Sequence, residues 1–549
     1  MTSEQAAPPI AGPQRAGRRA VSERGACAAQ PLTSFRKDLS PLLLLCLAAA
    51  CAGASPRAPG GEIGTRAGPP LLASARTVGL PAPGHPTVAV RLLFLTGAAD
   101  DPPGKEGLTA LTAAIMTEGG TEQLSSSELV RALYPMAAEL DVVAGKETVV
   151  FEARCPKDAL PRLLPIVEDV VLHPRFAPAD FERLRSRAVD AIEKGLRSED
   201  DEELAKQTLS LMLYGGHPYG HFTGGTVEGL RSITLEDVKD HWRRAFVSAR
   251  LMVGAAGGYE GDLPARIAAD LRSLPAGSER APLPAPATRA PRFVLVEKAS
   301  TPTAISMGFT WELKRGDPDF PALVAAVSAL GEHRQGAAFR LFKALREIRG
   351  LNYGDYAYPE HFVQASGSAL PAVNHPRSHQ EFTIWIRPVE PSHRLFAVRA
   401  ALHETEQWAR RGLTQDELER VKRFLAGYLL TFEQTDTRRL GYALDDRFYG
   451  LSAPWLPTLR ARIASLTLEE VNAAIRRHVD PARLRIAIAT HGAAELAAEI
   501  RSGAASPITY LSSKPRAVLD EDAVIERFPL GVTGPGDVKV MKVEELFQR

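Results

Sequence analysis

This sequence has almost no net charge, few cysteines and only short apolar runs. Lysine and arginine total 66 against 65 aspartate and glutamate residues, so the formal net charge is +1. A chain with this balance has no overall field to attract nucleic acid or an acidic membrane, and we expect no nucleic-acid partner. The apolar run at residues 42–50 has nine residues, whereas a helix that crosses a bilayer needs about 20. Hydrophobic residues are abundant, at 45% of 549, which is enough for large cores and more than one domain.

The N-terminus is typical of an export signal. Arg36 and Lys37 precede the short apolar run, and "LAAAC" resembles a bacterial lipoprotein processing site in which Cys51 is lipidated. Residues 1–51 are therefore predicted to be the signal, and the Gly/Pro/Ala/Arg-rich residues 52–75 a flexible tether. The mature protein is then expected in the bacterial envelope, periplasmic and anchored to the membrane by lipid. An uncleaved or misassigned N-terminus is the alternative, because the stretch before the apolar run is long for a signal.

Cysteine usage agrees with export. Of the four cysteines, Cys27 and Cys46 would be removed with the signal, which leaves Cys51 and Cys155. If Cys51 is acylated no internal disulfide is possible, and Cys155 is expected to act as a small buried hydrophobic residue.

The body of the chain is duplicated. "SITLEDVKDHWRRAFVSARL" (232–251) and "SLTLEEVNAAIRRHVDPARL" (465–484) are identical at ten of twenty positions. In each copy a Ser/Thr cap opens an amphipathic helix and an apolar strand follows. The starts of the two halves also correspond, "PTVAVRLLFLTGAADDP" from Pro86 and "PTAISMGFTWELKRGDP" from Pro302.

The duplication predicts an α+β protein of two homologous domains. Strands followed by segregated helices favour a mostly antiparallel sheet with helices packed on one face in each domain. The predicted boundaries are 76–275 for the first domain, 276–292 for a Pro/Ala-rich linker, 293–515 for the second domain and 516–549 for a C-terminal extension.

Several ordered motifs resemble one known family. These are "TGAADDPPGKEGLTALTAAIMTEGGT", "FAPADFERLRSRAVDAIEKGLRSEDDEE", "YGGHPYG" and, in the second half, "RLFKALREIRGLNYGD". They are similar to the pitrilysin/insulinase (inverzincin) family of zinc metallopeptidases, over residues of about 76 to 515. The resemblance implies that the two domains form half of a clamshell around a peptidase chamber.

The zinc motif of that family is lost here. Active members carry H-x-x-E-H on the first helix, and the matching positions are Ala110, Ala113 and Ala114. Two imidazoles and a glutamate are needed to bind Zn²⁺ and activate its water, and a methyl group can do neither. By resemblance Glu193 is the counterpart of the third ligand, and as an isolated carboxylate it is expected to be a solvated helix residue. We therefore expect no metal or other cofactor, and no catalytic residue, in this chain.

Two histidine pairs offer the alternative metal positions. His217 with His221 and His375 with His379 are each spaced i, i+4, but each pair contains a proline and no intervening acidic residue. Because closed zinc sites need three or four convergent ligands, a substitute zinc site is not expected there.

The substrate-binding motif of the family is present. Active members use an arginine and, seven residues later, a tyrosine to hold the substrate backbone, and Arg346 and Tyr353 have that spacing. A guanidinium and a phenol are suitable donors to a peptide carbonyl. The alternative is structural, with Arg346 in a salt bridge to Glu347 or Asp355 and Tyr353 in the core.

A lost zinc site beside a retained arginine and tyrosine predicts a division of labour. By resemblance to heterodimeric members, this chain would be the zinc-less subunit of a peptidase, inactive alone, that binds peptides or unfolded polypeptides for a zinc-bearing homologous partner. The alternative from another class is an envelope peptide-binding or scaffold protein without a role in proteolysis. A self-sufficient protease conflicts with the three alanines.

Overall fold

A computed structural model describes residues 76–299, 302–332, 339–365, 368 and 370–549. The predicted export signal, the tether and Cys51 lie outside these described residues. The described residues belong to one compact unit, within which two sheets organise the two halves of the chain.

The first half contains five strands and eight α-helices. In chain order they are β1 (Thr77–Pro81), β2 (Thr87–Phe94), α1 (Leu108–Glu118), α2 (Ser126–Leu133), β3 (Glu139–Ala144), β4 (Val149–Pro156), α3 (Leu160–Leu172), α4 (Pro178–Asp190), α5 (Asp201–Tyr214), α6 (Val227–Ser232), α7 (Leu235–Ala245), β5 (Leu251–Gly257) and α8 (Leu263–Asp270). A π-helical turn, Ala191–Glu199, lies between α4 and α5.

The second half repeats this order, with no α-helix corresponding to α2 among the described residues, and ends in the extension. Its elements are β6 (Phe293–Glu297), β7 (Thr303–Trp311), α9 (Phe320–Gly331), β8 (Asp355–Tyr358), β9 (Gln380–Val389), α10 (Arg394–Arg411), α11 (Gln415–Tyr428), α12 (Asp436–Phe448), α13 (Trp455–Ser465), α14 (Leu468–His478), β10 (Arg485–Thr490), α15 (Ala493–Ser502), α16 (Arg516–Ile525) and β11 (Val538–Lys542). A second π-helical turn, Phe342–Glu347, precedes β8.

The sheet orders confirm the duplication. The first sheet runs β1-β5-β2-β4-β3, and the second runs β6-β10-β7-β9-β8 with β11 added outside β6. In both sheets the first strand pairs parallel with the strand that ends the half, and the remaining pairs of the repeat are antiparallel. The α+β architecture with mostly antiparallel sheets is confirmed.

The repeated helices begin for the same local reason. The hydroxyls of Thr234 and Thr467 accept hydrogen bonds from the backbone amides of Asp237 and Glu470. In return, the carboxylates of Asp237 and Glu470 accept hydrogen bonds from the backbone amides of the two threonines. Such reciprocal caps satisfy two otherwise unpaired amides at the first turn of a helix.

The two halves exchange one helix. Helix α5 of the first half packs on β7 and β10 of the second sheet, and its counterpart α12 packs on β1 and β5 of the first. Leu440 and Leu444 of α12 join the buried cluster on that face, where Gly254 of β5 has no side chain and a Cβ would meet Leu440 at 2.8 Å. Each sheet therefore has helices of its own half on one face and part of the other half on the second face.

The C-terminal extension binds both halves. Strand β11 pairs parallel with β6, while the backbone amides of Val227 and Glu228 donate to the carbonyls of Phe547 and Gln548. The Arg197 guanidinium also donates to the Leu546 carbonyl, at 2.9 Å from Nε. Strand β11 of the extension therefore forms one edge of the second sheet, and the end of the chain contacts the first half.

Cys155 lies in β4 and is free and buried, and burial raises the pKa of its thiol to about 11. Within the described ranges, no helix is both long enough and apolar enough to cross a membrane.

Candidate functional site

Helix α1 carries the three alanines at the position of the lost zinc motif. Ala113 is fully buried in the core of the first half, whereas Ala110 and Ala114 are half-buried. The helix packs against α4, α7 and the edge strand β3. None of the three side chains has an atom that can ligate a metal, so the residues present do not fit the zinc that the family motif implies.

The start of α1 is held by a buried carboxyl group. Asp101 accepts hydrogen bonds from the amides of Gly107 (2.7 Å) and Thr109 (2.8 Å) and from the Thr109 hydroxyl (2.6 Å). Burial raises the pKa of Asp101 to about 7, although these bonds lower it. The helix that has lost its ligands thus keeps a well-defined start.

Glu193 lies in the first π-helical turn and forms an ion pair with Arg231 at 3.1 Å. The side chains are 36% and 59% exposed, and ion pairs of this exposure contribute at most about 1 kcal/mol. The pair agrees with a surface helix residue. That Glu193 is a remnant of the third zinc ligand stays a prediction.

The two histidine pairs meet at the contact between the halves. The rings of His217 and His379 are 5.3 Å apart and perpendicular. Backbone groups occupy the nitrogens of His217, with its Nε2 2.8 Å from the Pro284 carbonyl and its Nδ1 accepting from the Tyr219 amide. Both nitrogens of His221 also contact carbonyl oxygens, at 2.9 Å each. The ring nitrogens of His217 and His221 are thus engaged by backbone groups, whereas Nε2 of His379 has no hydrogen-bond partner among the described residues.

Glu147 is the centre of a buried polar cluster that joins the halves. Its carboxylate accepts hydrogen bonds from the Tyr219 hydroxyl, from the amide and hydroxyl of Ser378 (2.5 and 2.8 Å) and from the Arg280 guanidinium (2.5 Å). Glu147 is 3% exposed. Arg280 comes from the segment between the domains and also pairs with Asp100 at 2.8 Å, so this cluster ties linker, first half and second half together.

A polar cavity of about 610 Å³ lies beside this cluster. Its walls come from the turn between β3 and β4, from α5 and from β9. Glu381 lies in that wall. Its carboxylate is 2.9 Å from Nδ1 of His361 and 3.4 Å from Nη1 of Arg377. Burial raises the pKa of Glu381, but these two partners outweigh it and bring it to about 2.

Lys146 also lines the cavity, and its ammonium donates to the His221 carbonyl. Burial and the charge of Arg377 lower the pKa of Lys146 to about 7. The cavity is therefore built from both halves and carries charges of both signs.

Arg346 and Tyr353 lie together at the surface. The Arg346 guanidinium donates to the Tyr353 carbonyl at 2.6 Å and lies 4.5 Å from the centre of the Tyr353 ring. The ring is 67% exposed. The guanidinium of Arg387, which lines the polar cavity, lies 5.6 Å from the centre of the same ring. The structural alternative, with Tyr353 in the core, is wrong, and Arg346 forms no ion pair with a carboxylate among the described residues.

Asp355 lies beneath this pair at the start of β8. It is fully buried, and its Oδ1 accepts from the Asn352 amide at 2.7 Å. Burial raises its pKa to about 8, although the Asn352 bond and the charge of Arg346 lower it. Asp355 is therefore mostly protonated at neutral pH and does not neutralise Arg346.

The buried Asp355 predicts a pH dependence of stability. The folded state keeps a proton that the unfolded chain loses above about pH 4, so the free energy of unfolding falls as the pH rises from about 4 to about 8. We expect Asp355→Asn to gain about 2 kcal/mol or more over wild type at pH 8 and nothing at pH 4. Urea unfolding at pH 4, 6 and 8 measures this difference. Asp158→Asn, at an exposed position, is the control, and equal pH slopes in Asp355→Asn and wild type would contradict the assignment.

Two protein-family models match this chain. The model of the family "Insulinase (Peptidase family M16)" matches residues 77–226, and the model "Peptidase M16 inactive domain" matches residues 232–425. The second match begins within the first half, at α6, and ends in α11 of the second half. This chain belongs to the insulinase family.

Relatives of this insulinase-family chain carry contrasting names. An uncharacterized zinc protease of Mycobacterium tuberculosis is 28% identical over 384 residues, which cover 68% of this chain and 82% of that protein. A protein of Helicobacter pylori named a non-peptidase homolog is 24% identical over 412 residues, covering 73% and 88%. A crystal structure of a peptidase M16 inactive domain from Pseudomonas fluorescens has a TM-score of 0.67 at 24% identity, covering 76% of this chain and 97% of that one.

The sequence did not indicate the Glu147 cluster or the polar cavity of this insulinase-family chain. Glu147 stands in "GKETVV" without a motif around it, and its partners lie 72, 133 and 231 positions away. The sequence signal that could have indicated the cluster is a glutamate next to an apolar, strand-forming stretch. If such a residue is buried, its charge must be paired.

Proposed function

We propose that this chain is the zinc-less subunit of a two-subunit insulinase-family peptidase. In this proposal a homologous partner binds zinc and performs the cleavage, while Arg346 and Tyr353 of this chain hold the peptide backbone. The observation that carries the proposal is the exposed Tyr353 ring stacked on the half-buried Arg346 in a chain with alanine at all three positions of the zinc motif.

The chemistry of the pair suits a peptide carbonyl. A guanidinium without a carboxylate partner keeps its N–H donors for a ligand, and a phenol beside it adds an O–H donor. Donors of this kind, aimed at an oxygen that gains negative charge in the transition state, lower the barrier to acyl transfer. The contact from Arg346 to the Tyr353 carbonyl fixes the direction of the guanidinium before a substrate arrives.

The substrates in this proposal are peptides or unfolded polypeptides, because a guanidinium and a phenol are suitable donors to the carbonyls of a peptide backbone. The export signal and acylation of Cys51 would place the complex at the membrane surface in the bacterial envelope. Zinc belongs to the partner subunit, since Glu193 is already paired with Arg231 and the alanines offer no ligand.

Reconstitution tests the proposal. The purified chain, a zinc-motif homologue from the same genome and their equimolar mixture are assayed for cleavage of quenched fluorescent peptides. We expect the mixture to cleave at least about tenfold faster than the two separate rates combined, because neither chain has the whole site. A mixture no faster than the zinc-bearing chain alone would reject the proposal.

A second candidate function is peptide binding or scaffolding in the envelope without proteolysis. The Helicobacter pylori relative named a non-peptidase homolog favours it. Peptide binding by this chain that depends on Arg346, together with no gain of cleavage by any zinc-bearing homologue, would select this candidate.

A further inference from the structure

Three side chains in the second half form a cluster that neither the duplication nor the insulinase motifs explain. His403 and Glu404 lie on α10, and Glu521 lies on α16 of the C-terminal extension. One ligand atom from each lies within 4.8 Å of the other two. The cluster borders a cavity of about 720 Å³ that is separate in sequence and in lining residues from the polar cavity beside Glu147.

The imidazole of His403 is the unusual member. His403 is 8% exposed, and its Nδ1 has no hydrogen-bond partner among the residues that the structure describes. Leaving such a buried polar atom unpaired destabilises the folded state. Nδ1 lies 3.9 Å from Oε1 of Glu404, which is too long for a hydrogen bond but suits two ligands around one ion.

The other ring nitrogen can be fixed by a neighbour. Nε2 of His403 is 3.4 Å from the amide of Gln407, one turn along α10. With the amide oriented so that its oxygen accepts from Nε2–H, the lone pair of Nδ1 is directed at the cluster. Hydrogen bonding to the second nitrogen is how proteins orient a metal-binding histidine.

The carboxylates of Glu404 and Glu521 lie close together, so their negative charges repel each other. Glu404 is largely buried, with 16% of its side chain exposed, and Glu521 is held in place by Arg349, whose Nη2 donates to its Oε2 at 2.8 Å. A divalent ion placed among the three side chains would offset the repulsion between the two carboxylates and give Nδ1 of His403 a partner.

We propose that His403, Glu404 and Glu521 bind a divalent transition-metal ion of the zinc class, which fastens the C-terminal extension to helix α10. One imidazole and two carboxylates are donors that suit Zn²⁺ and its first-row neighbours rather than Mg²⁺ or Ca²⁺. Ligand atoms around a tetrahedral Zn²⁺ lie roughly 3.4 Å apart, so side-chain rotations that move these atoms by about an ångström complete the set. Glu521 is 39% exposed, which gives the ion a path from solvent.

The site would reinforce contacts that the extension already makes. Arg349 joins α16 through Glu521 and Asp522, and the chain beyond α16 pairs with β6 and reaches the first half. A metal between α10 and α16 therefore stabilises the end of the chain that connects both halves. This role is structural and independent of the lost motif on α1.

Zinc titration of the full chain tests the site. After dialysis against a chelator, the protein is titrated with ZnCl₂ by calorimetry, and its melting temperature is measured with and without Zn²⁺. We expect one equivalent of Zn²⁺ to bind and the melting temperature to rise by a few degrees, because a ligand that binds only the folded state stabilises it. Cobalt substitution should give visible absorption bands that report the bound ion.

Isosteric variants assign the ion to the cluster. Glu404→Gln and Glu521→Gln keep the shape of each side chain and should each weaken Zn²⁺ binding at least about tenfold and remove the rise in melting temperature. Glu406→Gln is the matched control, since Glu406 lies on the same helix but pairs with the exposed Arg410. Absence of stoichiometric binding, or binding that the cluster variants leave as strong as in the control, would overturn the proposal. The readouts involve no peptide cleavage, so the result is independent of the proposed function.

Discussion

Replacement of Arg346 by alanine is expected to lower the peptide cleavage of the reconstituted complex by about 100-fold or more. Donors that stabilise a developing oxyanion contribute about 10²–10³ in rate, and Arg346 lies stacked on an exposed ring with its guanidinium free of carboxylate ion pairs among the described residues. The loss should appear in kcat more than in KM, because the contact strengthens as charge develops on the carbonyl. Steady-state kinetics on the mixture with a saturating zinc-bearing partner measures it.

The controls separate chemistry from folding and assembly. Lys343→Ala removes an exposed cation from the same π-helical turn and should leave the rate within about twofold. Tyr353→Phe removes only the hydroxyl from a ring that is 67% exposed, and we expect a loss of about tenfold without a change in melting temperature. Equal rates for Arg346→Ala and Lys343→Ala, with complex formation intact by gel filtration, would remove the arginine from the site.

Replacement of Glu147 by alanine is expected to destabilise the protein by about 3–5 kcal/mol. Removal of one partner from a buried charge cluster leaves the other partners desolvated and unpaired. Here these are the Arg280 guanidinium, the Tyr219 hydroxyl and the amide and hydroxyl of Ser378. Because they come from both halves and the linker, the contact between the halves should weaken first. Urea unfolding followed by tryptophan fluorescence measures the change in free energy.

Glu139→Gln is the control for this effect, since Glu139 is exposed on the edge strand β3 and surface substitutions usually change stability by less than about 0.5 kcal/mol. Replacing Arg280 as well completes a double-mutant cycle, in which we expect a coupling energy of about 1–3 kcal/mol. A loss for Glu147→Ala no larger than that of the control would show that the cluster does not hold the halves together.

Much of the fold could be predicted because the relevant signals are local. The repeated Ser/Thr caps of α7 and α14 and the apolar strands after them gave the duplication, and both capping boxes form as expected. The short strands β1, β3, β6 and β8 were not predicted. Each has only four to six residues, too few for a periodic pattern to distinguish a strand from a loop.

The exchange of α5 and α12 could not be predicted either. Both helices have the apolar period that predicts burial, but periodicity reports only that a face is covered and not which sheet covers it. The small Gly254 and the apolar Leu440 are 186 positions apart in sequence, and their contact exists only after both sheets have formed.

The sequence by itself determined that the zinc motif is absent, because the identity of Ala110, Ala113 and Ala114 is enough to exclude metal ligands there. It also placed Arg346 and Tyr353 at the family spacing. Only the tertiary structure decided that Tyr353 is exposed, that Glu147 is buried among partners from three segments, and that His403 and Glu521 meet. Burial and convergence depend on contacts between residues distant in the chain, and these follow from packing of whole elements rather than from the neighbours of each residue.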